Sequence, residues 1–105
     1  MSAVTANAER GEAELVVVGE RYVIRPSFSA LVAAEADLGS LFALVERAAA
    51  GQMALEDMAG LFWHCIADRP ETLSREDVGQ AVLTMGLANA TPILRTILHQ
   101  VLQGR

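Results

Sequence analysis

Apolar and polar residues alternate from Glu12 to Ile24 and then recur at helical spacing to the end of the chain. In the first stretch, EAELVVVGERYVI, a two-residue Gly19-Glu20 loop with glycine first predicts a type II′ hairpin. Val17 then faces Tyr22, Leu15 faces Ile24 and Glu14 faces Arg25. Leu15, Val17, Tyr22 and Ile24 make an apolar face, and Val16 and Val23 centre the opposite one. Pro26 has no amide hydrogen for a ladder, so the second strand stops before it.

Ser27 or Ser29 caps a helix expected over about Phe28 to Leu38, with Leu31, Ala34 and Leu38 on one stripe and Gly39 as its stop. Gly39 also turns the chain, so that a second short helix, capped by Ser40 and closed by Gly51, meets the first at an angle. A third helix is expected from Ala54 to Ala67. More than half its girth is apolar (Leu55, Met58, Ala59, Phe62, Cys65 and Ile66, flanked by Leu61 and Trp63), which suits the centre of a bundle.

Pro70 discourages a helical Arg69. Ser74 then opens a capping-box-like start with Asp77 three residues on, and Val78, Ala81, Val82 and Met85 follow before Gly86 stops a fourth helix. Thr91-Pro92 reads as the cap and first residue of a last helix. An isolated hairpin is marginal in water, so the fold class expected is α+β: an N-terminal β-hairpin packed on a bundle of four to five short helices. Residues 12–105 form one domain in this reading, and residues 1–11, with little to bury, form a disordered tail.

On the last helix Ile93, Leu94, Ile97, Leu98, Val101 and Leu102 cover about half the circumference, more than the stripe of about 100° that packing on a small bundle requires. The surplus lies on the Leu94, Leu98, Leu102 edge. These three, together with Val16 and Val23 on the outer face of the hairpin, are the candidate partner-binding residues. The edge suits an apolar helix from another protein or a second copy of the chain.

Composition narrows the function classes. The 105 residues are 52% hydrophobic and 20% charged, with no apolar run near the ~20 residues of a membrane span. The N-terminus lacks the basic start and apolar core of a signal peptide, so the expected location is cytoplasmic. Net charge is −5, there is no lysine, and the eight arginines are scattered. Nucleic-acid binding wants a basic patch, and none is expected here.

Catalytic and metal chemistry find little to stand on. His64 and Cys65 are neighbours about 100° apart on a helix and do not converge on one atom; they read as a surface histidine and a core cysteine. With His99 the only other histidine, a zinc site lacks ligands. Glu56-Asp57 and Glu76-Asp77 lie in first helical turns, where carboxylates stabilise orphan amides. Glu35 reads as an arginine's partner or a base in a pocket. No cofactor site and no enzyme activity are expected.

One resemblance points further. Arg10-Gly11-Glu12, Leu15, Gly19, Tyr22-Val23-Ile24-Arg25, Phe28, Ala30-Leu31, Glu35 and Leu38-Gly39-Ser40-Leu41 resemble the opening of a small family encoded in the tail clusters of bacterial gene transfer agents and related phages. The match covers about residues 9 to 45 and departs from the family pattern at Pro26 and Ala36-Asp37. The resemblance implies a non-enzymatic tail-assembly chaperone whose partner is the tape-measure or tail tube protein. The competing implication is a structural tail tube or minor tail component that self-associates.

Overall fold

A computed structural model describes residues 12–103. The disordered tail expected at residues 1–11 lies outside them. The elements are β1 (Ala13–Val17), β2 (Glu20–Ile24), α1 (Phe28–Leu38), α2 (Leu41–Ala49), α3 (Leu55–Cys65), α4 (Arg75–Met85) and α5 (Leu87–Gln103). Over the described residues the fold is α+β, a two-stranded antiparallel hairpin followed by five helices.

The hairpin forms where expected, in a different register. Its two-residue turn is Val18-Gly19, with φ of +50° and +78°; positive φ at both central positions is the type I′ geometry, not II′. Val17 therefore pairs with Glu20 and Leu15 with Tyr22. The pairing expected from the sequence, Val17 with Tyr22, is wrong by two residues. Because side chains alternate with a period of two, an even slip leaves every residue on its own face. Leu15, Val17 and Ile24 are accordingly buried. A β-branched residue in the left-handed region is strained, so the turn itself does not select this register.

The far end of the ladder distinguishes the two registers. Glu14 faces Val23, not Arg25. Arg25 instead reaches Glu12, whose carboxylate lies 2.8 Å from the Arg25 Nε and is only 3% exposed. Beyond β2 the chain supplies a third partner: Ile66 bridges Ile24, with Arg25 N–H donating to the Cys65 carbonyl at 2.6 Å and Ala67 N–H to the Val23 carbonyl at 2.8 Å. This bridge ends α3 at Cys65, two residues before the expected stop, since Ile66 leaves the helix in an extended conformation.

The helix caps follow the sequence closely. Ser27 accepts from Ala30 N–H, Ser40 from Ala43 N–H, and Ser74 with Asp77 completes a reciprocal capping box. Gly39, at φ +94°, turns α2 by 77° from α1. The exception is α5. It begins at Leu87, directly after Gly86, and carries Pro92 inside it. Pro92 lacks the amide that would donate to the Ala88 carbonyl and crowds that carbonyl with its ring, but the first turn is already closed by Ala90 N–H donating to the Gly86 carbonyl at 3.0 Å. The Thr91 hydroxyl bonds the Leu87 carbonyl at 2.7 Å, so it serves inside the helix and not as its cap.

The inner hairpin face lies on α4, which also packs against α3 and α5, while α3 packs against α1. Phe62, Leu61, Val78, Val82 and Ile97 meet Leu15, Val17 and Ile24 in one core. The centre is the α3–α4 pair, which shares the position expected of α3 alone.

Candidate interaction surface

Of the five positions expected to bind a partner, three are covered. Leu94 and Leu98 are 5% and 7% exposed and belong to the core, and Val23 is buried with the Ile66–Ala67 segment bonded alongside it. The exposed α5 edge expected from the wheel is thus reduced to Leu102, at 52%. The buried residues of α5, Ala90, Leu94, Ile97 and Leu98, fall within about 100° of its circumference, so the helix packs with the Leu94–Leu98 edge turned inward. On the hairpin, Val16 is exposed and is joined by Val18 at the turn.

The surface carries apolar residues that helical spacing did not single out. Phe28 and Phe42 open α1 and α2 and are 84% and 76% exposed. Val32, Leu83 and Leu87 are also exposed, and so is Leu55, which was expected on the apolar stripe of α3. Isolated exposed apolar residues are ordinary; two phenylalanines this bare on neighbouring helix starts are less so. Their excess was visible in the sequence as apolar residues off the α1 and α2 stripes.

A polar cluster ties α1, α3 and α4 together. Asp37 accepts from His64 Nε2 at 2.9 Å and from Arg75. Hydrogen bonds from His64 first, and Arg75 next, hold the Asp37 carboxyl below the usual carboxylate range. His64 is therefore a partly covered partner of an acid, and its side chain is only 11% exposed, which corrects its placement on the surface. Arg69 stacks over the Trp63 ring at 3.7 Å, and the Trp63 indole donates to the Leu73 carbonyl at 3.0 Å. Among the described residues Glu35 pairs with no arginine; its carboxylate accepts from Leu41 N–H at 3.2 Å and so helps to cap α2.

Two concavities among the described residues bear on function. One, of about 500 Å³, lies between the start of α1 and the end of α3 and is lined by Arg25, Ser27, Ser29, His64, Cys65 and Arg69. Its arginines and histidine are engaged: Arg25 by Glu12, His64 by Asp37, and Arg69 by the Trp63 carbonyl at 2.7 Å. Burial pushes the pKa of the Cys65 thiol up to about 12, which keeps it in the unreactive neutral form at neutral pH. The other, of about 400 Å³, is an apolar groove on the α3–α4 seam. Among the described residues no group of three or more His, Cys, Asp or Glu is placed to hold a metal ion, and no single helix is long and apolar enough to cross a membrane. Binding through exposed apolar surface is what this arrangement can do.

The family model described as "Phage tail tube protein, GTA-gp10" matches residues 10–104. No curated protein and no solved structure matches the chain.

Proposed function

From a chain that belongs to this gene transfer agent and phage tail family, we propose a non-enzymatic tail-assembly chaperone, acting in the cytoplasm, that binds the tape-measure or tail tube protein while the tail is built. The observation that carries this reading is the small share of strand. The sheet among the described residues has two strands of five residues each. A tube built by sheet propagation needs far more edge than that. The exposed Phe28 and Phe42 suit a transient apolar partner instead.

A second reading, a tail tube or minor tail component that self-associates, agrees with the family's description and has one observation in its favour. Val23 and Arg25 direct their backbone groups toward Ala67 and Cys65, so in an antiparallel ladder Glu14, opposite Val23, directs its own away from β2. Val16, two residues on, does likewise. Among the described residues no backbone partner meets that edge, and a second copy could add a strand there.

Purified particles separate the two readings. Quantitative mass spectrometry should find the chaperone absent from finished tails, while pull-downs from cells assembling them recover it with a tail protein. Many copies per particle would sink the chaperone reading and establish the structural one.

A further inference from the structure

The seam between α3 and α4 is built around small residues. A Cβ on Gly79 would stand 3.6 Å from the Ala59 Cβ, so the helices touch closely there and leave a depression outside the contact. Trp63 approaches Arg75 with its ring 5.1 Å from the guanidinium carbon, so the pair runs antiparallel, and the same register brings Leu55 toward Leu83. The result is a groove of about 400 Å³ floored by Ala59 and Gly79, with Leu55 and Leu83 both exposed at one end. It is large enough for the bulky side chain of a helix laid along the seam.

The rim is acidic. Glu56 and Glu76 line the groove, and neither enters an ion pair or side-chain hydrogen bond among the described residues, whereas the Arg75 beside them is engaged by Asp37. The uncompensated charge at this site is negative, as is the whole chain at −5. Charge complementarity therefore selects the occupant.

We propose that the α3–α4 groove docks an amphipathic helix of a partner protein that inserts leucine-sized side chains over Ala59 and Gly79 and sets lysine or arginine against Glu56 and Glu76. This rests on the reading of the chain as a partner-binding tail factor, and it places that binding on a surface distinct from the α5 edge and the hairpin.

The test uses the full chain and two labelled helical peptides of about four turns, identical in their leucine stripe and flanked either by lysines or by glutamates. The lysine-flanked peptide should bind saturably and the other should not. Leu83→Asp should weaken binding about tenfold or more. This substitution adds negative charge, so nonspecific attraction of a cationic peptide would rise in it and only loss of apolar docking makes it fall. Gly79→Leu, which fills the floor from within, should abolish binding with the circular dichroism spectrum unchanged. The double variant Glu56→Lys, Glu76→Lys should exchange preference toward the glutamate-flanked peptide.

Equal binding of both peptides, or indifference to Leu83→Asp and Gly79→Leu, overturns the proposal. Self-association of the protein alone that Leu83→Asp dissolves also overturns it, in favour of a second copy as occupant. Retention of the natural tail partner by Gly79→Leu in pull-downs overturns the groove while leaving the chaperone reading intact.

Discussion

α1 and α3 are each eleven residues long and rich in apolar side chains, yet they stand in opposite relations to solvent. α3 buries Met58, Ala59, Gly60, Leu61, Phe62 and Cys65, whereas α1 buries Ala34 alone. Phe28 and Val32 of α1 face outward. The difference lies in neighbours. α3 has α1 on one side and α4 on another, and its last residues run into the strand bridge at Ile66. α1 has α3 on one side, and polar links help to hold it there: Asp37 to His64 and Arg75. Hydrophobic content says that a helix has apolar surface to spend, and position in the stack decides how much is covered.

The largest effect that follows is at Phe62, which is fully buried. Phe62→Ala should cost about 3–5 kcal/mol through lost transfer energy and a residual cavity, read from denaturant melts. A loss below about 1 kcal/mol would mean that α3 is no more central than α1.

Cys65 offers a probe of the same helix without substitution. Its thiol is neutral at ordinary pH because burial pushes its pKa up to about 12, and the thiolate is the reactive form. Alkylation at about pH 8 should run orders of magnitude slower than in denaturant, at a rate set by opening of the fold. Labelling at the rate of a free cysteine in native buffer would show the α3 end to be open.

The tie between α1 and α3 should respond to acid. Asp37 has its folded pKa depressed by hydrogen bonds from His64 and Arg75, so its contribution is present above the unfolded value of about 3.9 and is lost as pH falls through the folded one. Asp37→Asn should therefore lower the melting temperature at neutral pH, and the gap to the parent should close in acid. A gap constant with pH would mean the carboxylate is not what holds α1.

At the small end, Phe28→Ser should change stability by no more than about 0.5 kcal/mol in the same melts. A larger loss would place Phe28 in a contact of the core and bring α1 closer to α3 in character.

Much of the fold was legible in the residues themselves. The bounds of α1, the caps at Ser27, Ser40 and Ser74, the turn at Gly39 and the burial of Leu15, Val17 and Ile24 all follow from local chemistry: a hydroxyl that accepts an orphan amide, a glycine that adopts positive φ, a side-chain alternation that survives an even slip. The family, too, was legible in the spacing of residues 10 to 41, and its match over residues 10–104 bears that out. The candidate surface was not. Leu94, Leu98 and Val23 are apolar residues whose exposure depends on what lies against them, and the groove on the α3–α4 seam exists only because Gly79 meets Ala59 across helices twenty residues apart in sequence. The same holds for the hairpin register and the end of α3, where Glu12 reaching Arg25 and Ile66 bridging Ile24 outweigh the preference of a glycine for one turn position. Local propensities here are worth tenths of a kcal/mol to about one, so contacts between segments distant in sequence, which no single window contains, decide among the alternatives that local chemistry leaves close in energy.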